Sequence, residues 1–411
     1  MTEPDRVAGP VSVAVFVGTR ADLGPLSPVL EVLAAADGVA LHVLTGVTYA
    51  ADDLARALPA TLSPEHWRDR VVAVAPPMSR LSPADQVAQG AQISRGTAEA
   101  LQRLAVDVLL VLGDRWELLW VVPPAVVLGI PVVHLHGGEV TEGALDERVR
   151  HAVTKLADVH CVASADAAAR LAQLGEPAER IHVTGAPGLD RLAGAVPLPD
   201  EEVAALLGVD AVRRPLAILT YHPPTARRAS PVGRWAAEAA SATLELGGTV
   251  IATHPGMDDG REAILAALLD LAEREPRLVI VEALGRDYPR VLAAADVVVG
   301  NSSSGIIEAA SVHVGVVDVG ERQRGRLSGV NVVHVAEGRA AVRDGLRAVL
   351  SDEGRARSAA VVNPYGAGQA SDRILAIVRG AVGAARVKPF VDAGAPGQGP
   401  RPGPMTRPDG T

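Results

Sequence analysis

The residues best suited to acid–base chemistry lie in one stretch, HLHGGEVTEGALDERVRH, which begins at the end of an apolar run. The stretch brings His136, Glu139, Asp146 and Glu147 close together around a glycine pair. Carboxylates that share a site raise one another's pKa, so one can be a protonated acid while another is a base. The stretch therefore predicts a site that moves protons.

The same stretch also fits a metal site. Strand alternation turns His134 and His136 to one face, and Glu139 would add a carboxylate to two imidazoles. The spacing also fits a strand end that enters a cleft, and no further ligand stands nearby. We therefore expect no metal and no cofactor, and we expect Glu142 to be a solvated loop residue.

Two earlier loops carry further candidates. GDRWELL places Asp114 and Arg115 after an apolar run, where Asp114 either faces a cleft or caps the next helix with Glu117 at the capping-box spacing. In GTRADLGPL, Arg20 and free backbone N–H groups at a helix entrance could hold an anion, and a turn without a ligand is the alternative. Both pairs of interpretations stay open from the residues alone.

The loop GNSSSGIIEA has the composition of a phosphate cradle. It ends an apolar run and opens a helix, so the Ser302 and Ser303 hydroxyls join free N–H groups at the positive end of that helix. Glu308, about one turn further on, would accept hydrogen bonds from a ribose diol. A diphosphate beside a diol indicates a nucleotide.

Cations and imidazoles accompany this cradle. GERQRGR contains Arg322, Arg324 and Arg326, enough positive charge to neutralise a diphosphate. His222 precedes two prolines that could aim its ring into a cleft, although a capping or core histidine explains it equally well. His254 begins a similar His-Pro segment and is expected only to shape a turn.

Short runs of Val, Ile and Leu alternate with stretches of helical period, which predicts an α/β protein with parallel sheets covered on both faces. Strands of a first doubly wound unit are expected at 11–17, 41–44, 71–74, 108–112, 132–135 and 159–162. Strands of a second unit are expected at 217–220, 249–252, 278–281, 297–299 and 315–318. Ligands of such sheets bind at the carboxyl ends of the strands, so the two units should face one cleft.

We place the first domain at residues 1–187 and the second at 188–370. A helix at 371–388 is expected to cross back to the first domain. Residues 389–411 are rich in Pro and Gly, so we expect them to be a disordered tail.

Bulk composition limits the function. The 411 residues suit two domains, and a net charge of -9 argues against nucleic acid as a partner. The single cysteine, Cys161, stands among apolar residues, which predicts core packing in a reducing compartment. No segment approaches the ~18 consecutive apolar residues of a membrane span, and the N-terminus lacks a secretory pattern. We therefore expect a cytoplasmic protein with no membrane partner.

With these residues in view, the chain resembles the hydrolysing branch of the UDP-N-acetylglucosamine 2-epimerase family over about residues 11–387. The motifs GTRADLGPL, GDRWELL, HLHGGEVTEGALDERVRHAVTKLAD, GNSSSGIIEA and GERQRGR carry the resemblance in this order. It implies two Rossmann-like lobes facing a cleft, a GT-B-like fold, with UDP held mainly by the second lobe. The implied substrate contacts are Arg20, Arg115, His136, His222, Ser302, Ser303, Glu308 and Arg322. The implied acid–base residues are Asp114, Glu139 and Asp146, with His136 and Glu147 in reserve.

The resemblance implies that UDP-GlcNAc and water become UDP and N-acetylmannosamine, a precursor of bacterial sialic and other nonulosonic acids. Loss of the C2 proton with anti departure of UDP gives a glycal, and hydration then inverts C2. Neither step needs a metal or a redox cofactor. Family members usually associate through first-lobe helices, so a homodimer or homotetramer is expected.

The chain departs from the family pattern at two places. Gly24 and Pro25 stand where a small or polar residue and then a lysine are common, and Gly256 stands where asparagine is common. These changes keep a UDP-2,4-diacetamido-2,4,6-trideoxyhexose open as the substrate. Three other functions stay open: a GT-B glycosyltransferase, a non-catalytic sugar-nucleotide sensor and a non-hydrolysing epimerase.

Overall fold

The computed structural model describes residues 9–78, 82–142, 145–223, 231–256, 260–383 and 387–392. Within these ranges the strands form two separate parallel sheets. The first sheet contains β1 (Val11–Phe16), β2 (Val39–Thr45), β3 (Val71–Ala73), β4 (Val108–Leu112), β5 (Val132–Leu135), β6 (Val159–Val162) and β7 (Ile181–Val183). The second sheet contains β8 (Ala217–Thr220), β9 (Val250–Thr253), β10 (Leu278–Val281), β11 (Val297–Gly300), β12 (Gly315–Val319) and β13 (Val332–Val335).

Each sheet with its helices is called a lobe below. Helices of the first lobe are α1 (Arg20–Ala35), α2 (Ala51–Ala57), α3 (Pro64–Arg68), α4 (Pro83–Arg103), α5 (Leu118–Leu128), α6 (Asp146–Leu156) and α7 (Ala165–Gln173). They are followed in the chain by α8 (Asp200–Leu207), α9 (Val232–Leu244), α10 (Arg261–Ala272), α11 (Tyr288–Ala294), α12 (Ser303–Ile307), α13 (Arg339–Leu350), α14 (Asp352–Ala359) and α15 (Ala370–Ala381). The division between domains at residue 187 stays a prediction.

Both sheets are doubly wound. The strand order is β3-β2-β1-β4-β5-β6-β7 in the first and β10-β9-β8-β11-β12-β13 in the second. The order therefore reverses between β1 and β4 in one lobe and between β8 and β11 in the other, and ligands of such sheets bind at these switch points. The loops that follow these four strands begin the segments that carry Arg20, Asp114, His222 and Ser302.

The first sheet is covered on both faces, as predicted. Along β1, Val13 and Val15 pack into one apolar cluster, whereas Ala14 and Phe16 pack into a cluster on the opposite face. Each of these four side chains is at most 3% exposed. Burial of an aliphatic side chain contributes about 1.5–3 kcal/mol, so a nearly aromatic-free core can still hold these strands rigidly.

The last helix returns to the first lobe. Ile374, Val378 and Ala381 of α15 are buried in the same cluster as β1. The predicted crossing is therefore confirmed, although the helix begins at Ala370 and ends at Ala381, earlier than the predicted residue 388.

The residues after this helix also pack on the first lobe. The Val391 N–H donates to the Gly175 carbonyl at 2.9 Å, and the Phe390 ring lies so close that a Cβ on Gly175 would be 2.5 Å away. The prediction of disorder from Pro389 onward is therefore wrong for the first residues of the tail. Residues 393–411 lie outside the described residues.

Eleven predicted strands are confirmed to within two residues at either end, but β7 and β13 were missed. Both lie at sheet edges and are only partly buried, and His182 and His334 interrupt their short apolar runs. Cys161 is buried in β6, in agreement with the predicted core packing. Within the described part of the chain, no helix is long and apolar enough to cross a membrane.

Candidate active site

The loop after β5 turns sharply away from the strand. His136 has a φ of +61° and Gly138 a φ of +77°. A Cβ on Gly138 would lie 2.3 Å from the Ala167 carbonyl oxygen, so this close approach requires glycine. The turn takes His136 out of strand alternation and brings Glu139 beside it, with His136 Nδ1 and Glu139 Oε1 2.5 Å apart. The predicted shared face of His134 and His136 is therefore wrong.

His134 lies inside the first lobe and not in the cleft. Its ring is fully buried, with Nε2 2.7 Å from the Gly113 carbonyl and Nδ1 3.4 Å from Thr154 Oγ1. Burial lowers the pKa of His134 to about 3, so the imidazole is neutral. Among the described residues no group of three His, Cys, Asp or Glu side chains is placed to hold a metal. His134 thus supports the packing between the turn after β4 and α6.

Arg150 on α6 is the centre of the carboxylate cluster, and sequence reasoning gave it no role. Its fully buried guanidinium donates to Asp114 Oδ2 at 3.0 Å, to Glu147 Oε2 at 2.7 Å and to the Glu139 carbonyl at 2.6 Å. It also donates to the Thr141 hydroxyl. One side chain therefore ties together the loops after β4 and β5 and the first turn of α6.

Arginines keep the two central carboxyls ionised. Burial raises the pKa of Asp114, but Arg150 and Arg326 outweigh burial and leave that pKa below its usual range. At Glu139 burial is outweighed by Arg326 and His136, and the pKa falls to about 2. Glu139 does raise the pKa of Asp114, but the arginines outweigh this effect, so the prediction of a protonated acid is wrong for this pair. Both groups can accept a proton at neutral pH.

The two acidic residues at the start of α6 differ. Glu147 accepts the Thr141 N–H at 2.6 Å besides its bond to Arg150, and these contacts outweigh burial and lower its pKa. It therefore helps to hold the loop in place. Asp146 is the first residue of α6 and is half-buried, and its acid–base role stays a prediction.

Asp114 does not cap the following helix. Helix α5 begins at Leu118, and its N-cap, Glu117, makes no capping bond with its side chain. Glu117 is 1% exposed and accepts a 2.9 Å hydrogen bond from Arg115 Nε. A Cβ on Gly18 would lie 2.5 Å from Glu117 Oε1, so the pair lies directly against the loop after β1. Arg115 is thus held at the switch point of the first sheet.

Arg20 reaches across the cleft. It is the first residue of α1, whose N-cap Thr19 forms a capping box with Asp22. The Arg20 guanidinium donates to the carbonyls of Glu282 at 2.7 Å and His254 at 3.3 Å, both on the second lobe. Its predicted contact with an anion stays a prediction.

The predicted cradle forms a single turn at the end of β11. The Ser302 hydroxyl caps α12 by accepting the Ser304 N–H at 3.3 Å, and Ser303 is the first helical residue. The Ser304 hydroxyl donates to Glu308 and also contacts the Tyr288 hydroxyl. Burial raises the pKa of Glu308. Phosphate and ribose binding by this turn stay predictions.

His222 is fixed beside this turn as a neutral ring. Its backbone N–H donates to Asn301 Oδ1 at 2.7 Å, and its Nδ1 accepts the Gly256 N–H at 2.8 Å. Burial, together with Arg322 and Arg20, lowers the pKa of His222 to about 3. A neutral ring whose Nδ1 accepts carries its hydrogen on Nε2 and can donate it to a ligand oxygen.

Sequence reasoning missed Asn301 and Gln323. The Asn301 carbonyl accepts from Arg322 at 3.0 Å and from the Gln323 amide at 2.8 Å, and Gln323 is 1% exposed. Both residues are adjacent to predicted contacts, but an amide that bonds to backbone leaves no pattern in sequence. They join the loop after β12 to the cradle.

The three arginines of GERQRGR do not act alike. Arg322 stays at the cradle, but Arg324 Nε lies 3.2 Å from Glu142 and Arg326 Nη2 lies 3.5 Å from Glu139, both on the first lobe. The prediction that all three neutralise a diphosphate is therefore not supported for the last two. Glu142 is 55% exposed, as expected, but it is ion-paired.

Comparison with known proteins places this geometry in a family. The sequence model described as UDP-N-acetylglucosamine 2-epimerase matches residues 73–379. The chain belongs to the UDP-N-acetylglucosamine 2-epimerase family. It is 36% identical over 285 residues to the UDP-N,N'-diacetylbacillosamine 2-epimerase (hydrolyzing) of Legionella pneumophila, which covers 69% of this chain and 74% of that protein. It is 30% identical over 328 residues to the UDP-N-acetylglucosamine 2-epimerase of Neisseria meningitidis serogroup B, which covers 78% and 83%.

Solved structures of the epimerase family share the fold. The Neisseria meningitidis UDP-GlcNAc 2-epimerase bound to UDP-GlcNAc matches with a TM-score of 0.70 and 17% identity over 90% of this chain and all of that one. The Methanocaldococcus jannaschii enzyme in complex with UDP-GlcNAc and UDP matches with a TM-score of 0.69 and 17% identity, over 90% and 99%. The predicted two-lobed, GT-B-like α/β fold is therefore confirmed.

Both departures from the epimerase pattern lie at the cleft. A Cβ on Gly188 would be 3.3 Å from Pro25 Cα and 3.6 Å from Glu308 Oε1, so Pro25 is near the cradle side of the cleft. Gly256 donates its N–H to His222. Both departures are therefore next to predicted substrate contacts, Pro25 near Glu308 and Gly256 at His222.

Proposed function

We propose that this epimerase-family chain is a hydrolysing UDP-N-acetylglucosamine 2-epimerase, which releases UDP and N-acetylmannosamine from UDP-GlcNAc and water. One observation carries the proposal. The partly buried Asp114 and the buried Glu139 are carboxylates kept ionised on one wall of a cleft, and the opposite wall carries a serine turn beside Glu308. Such a cleft suits removal of a proton from a sugar whose nucleotide is anchored on the other lobe.

The first step needs a base and a stabilised leaving group. Glu139 takes the C2 proton while the C1–O bond to UDP breaks, and the electron pair of the C–H bond forms the C1–C2 double bond of the glycal. Arg20, Arg322 and the His222 Nε2–H stabilise the departing diphosphate. Since Glu139 has a low pKa, the step relies on C1 gaining positive charge before the proton leaves.

The second step adds water to the glycal. The hydroxyl of water adds to C1. A proton must reach C2 from the face opposite the first base, so a second carboxyl group is required. We assign this part of the reaction to Asp114 and Asp146. Asp114 is paired with Arg150, so it accepts the water proton more readily than it donates one, whereas Asp146 supplies the proton to C2.

A second substrate is favoured by a specific observation. The Legionella relative named for UDP-N,N'-diacetylbacillosamine is 36% identical, against 30% for the Neisseria relative named for UDP-N-acetylglucosamine. Pro25 and Gly256 also change the cleft next to Glu308 and His222. A 4-acetamido, 6-deoxy sugar is therefore the second candidate for the same reaction.

Proton NMR in deuterium oxide tests both. Each UDP-sugar is incubated with the protein, and the expected result is UDP and free 2-epimerised sugar in equal amounts, with deuterium at C2. A product that retains UDP would contradict the hydrolysing type, and release of an unepimerised sugar would contradict the epimerase reaction. The ratio of kcat/KM for the two UDP-sugars decides the substrate.

Single variants test the residue roles. Asp114→Asn, Glu139→Gln and Asp146→Asn should each lower kcat while calorimetry still detects UDP binding. Unchanged turnover in all three would overturn the acid–base scheme.

A further inference from the structure

The loop after β12 crosses the cleft and contacts the carboxylate loop at three consecutive residues, here called the seam. Arg324 pairs with Glu142 at 3.2 Å, and its carbonyl accepts the Glu142 N–H at 3.3 Å. Arg326 lies 3.5 Å from Glu139, and both side chains are less than a tenth exposed. The seam therefore has an exposed ion pair at one end and a buried one at the other.

Gly325 lets the two loops come this close. Its φ is +81°, and a Cβ there would lie 2.7 Å from Val140 Cγ1 and 3.4 Å from Glu142 Cγ. A side chain at position 325 would both strain the backbone and push the second lobe away from the first. The contact between lobes is thus close at the residue next to Arg326.

The seam is also joined to the cradle. Arg322 and Gln323, directly before it, donate to the Asn301 carbonyl at the start of the serine turn. An Arg326 that stays on Glu139 therefore requires the cradle, the loop after β12 and the carboxylate loop to be in register. Separation of the lobes would break the Arg326 contact, because Glu139 is on the other lobe.

Several charged groups face Glu139, and Arg326 is the strongest influence on it after burial itself. The others come from its own loop, from α6, from the loop after β4 and from the segment before α15: His136, Arg150, Asp114 and Tyr365. His136, Arg150 and Asp114 belong to the first lobe, whereas Tyr365 is buried in an apolar cluster with residues of the second sheet and donates to the Leu327 carbonyl. Among these groups Arg326 is the cation that the second lobe supplies.

We propose that Arg326 is a positioning residue that holds Glu139 as an oriented carboxylate only while the lobes are closed on the nucleotide. The inference rests on the proposed function, since it assigns Glu139 as the base. Filling the cradle thus prepares the base on the opposite wall, and an empty, open cleft leaves Glu139 with a higher pKa and without its second partner. Arg326 then contributes to kcat and not to UDP affinity.

The test compares Arg326→Gln with Glu142→Gln, which removes the exposed ion pair of the same seam. Loss of the buried contact should lower kcat roughly ten- to a hundredfold and move the acid limb of the kcat–pH profile to higher pH, with the UDP dissociation constant within about twofold of wild type. Arg326→Lys should restore part of kcat. Glu142→Gln should change kcat by less than about twofold. Weaker UDP binding with normal kcat would instead make Arg326 a diphosphate ligand and overturn the proposal.

A second measurement does not depend on turnover. The protein is labelled with ¹³C at the glutamate carboxyl carbons, and the Glu139 signal is assigned by its loss in Glu139→Gln. With UDP bound, the signal should titrate at a higher pH in Arg326→Gln than in wild type, and Gly325→Ala should shift it in the same direction. If the titration of Glu139 is the same in Arg326→Gln and wild type, the role of Arg326 is refuted, whether or not the protein is active. If the titration shifts but the wild-type protein turns over neither UDP-sugar, only the proposed function is refuted.

Discussion

The two walls of the cleft treat buried charge in opposite ways. On the first lobe, Asp114 is partly buried and Glu139 is buried, but both are ionised because nearby arginines outweigh the cost of burial. On the second lobe, burial raises the pKa of Glu308 and makes His222 neutral. Arginines therefore favour the charged form of the carboxyls on the first lobe, whereas burial disfavours the charged forms of Glu308 and His222 on the second.

This difference has an energetic reason. A buried carboxylate without a cation is too costly to keep ionised, so a base in this position needs an arginine nearby when it accepts the proton. A binding wall that alternates between empty and occupied is better made of groups that tolerate both states. The comparison predicts which variants act on stability, on kcat and on KM.

The largest effect is expected from Arg150→Met. Removing the buried guanidinium leaves Asp114 and Glu147 without their cation, which should cost about 3–5 kcal/mol of stability and abolish turnover. Circular dichroism during urea unfolding measures the stability. Arg148→Met, an exposed position on the same helix, is the control and should leave the unfolding midpoint unchanged. Equal midpoints for both variants would contradict the role of Arg150.

The next largest effect separates the two walls. Glu139→Gln should lower kcat by about 10²–10⁴-fold with UDP affinity kept, because it removes the base. Glu308→Gln should weaken UDP binding about ten- to a hundredfold, because a charged acceptor of the ribose diol is lost, while kcat at saturation changes little. Steady-state kinetics and calorimetry check the split. Loss of UDP binding in Glu139→Gln would break the comparison.

A smaller effect is expected from pH alone. Burial raises the pKa of Glu308, so this group becomes protonated at a pH above its ordinary 4.5, whereas Glu139, with a pKa of about 2, stays ionised. Lowering the pH from about 8 to 5 should therefore raise KM before kcat falls. In Glu308→Gln the rise in KM should disappear. If kcat falls at a higher pH than the one at which KM rises, the more easily protonated group is on the first lobe, and the comparison is wrong.

The smallest effect is expected from Ser304→Ala. The variant removes one hydrogen bond to Glu308, worth about 1 kcal/mol, so KM should rise about fivefold at constant kcat. Initial rates over a range of UDP-sugar concentration measure this. A change in kcat of the same size would mean that the serine turn also acts in the chemical step.

The sequence alone predicted the fold well because a buried parallel strand leaves a local mark. The runs at β4, β5 and β6 match to the residue. Edge strands β7 and β13 were missed because His182 and His334 interrupt their short apolar runs, and the sequence does not show the neighbouring strand that pairs with each. The site was predicted as a set of loops. The contacts between these loops were not predicted, since Arg326 and Glu139 are 187 positions apart in the chain and no local pattern joins them.

Charge states were the other failure. The cluster of acids suggested mutual repulsion, but Arg150 lies three residues after Glu147 on the buried face of α6 and reverses the sign. Likewise the spacing of Asp114 and Glu117 suggested a cap, although burial and an arginine partner gave both residues other tasks. Local spacing predicts neighbours in the chain, but pKa depends on neighbours in space.

The return of α15 to the first lobe also fixes an order of events at the ribosome. Ile374, Val378 and Ala381 complete the apolar cluster that β1 begins, so the core of the first lobe is complete only after α15 has been synthesised. The second sheet, whose strands lie between Ala217 and Val335, is synthesised while that cluster is still open. The lobe made first should therefore be the lobe that finishes folding last, and a chain stalled before α15 would expose aliphatic surface to chaperones.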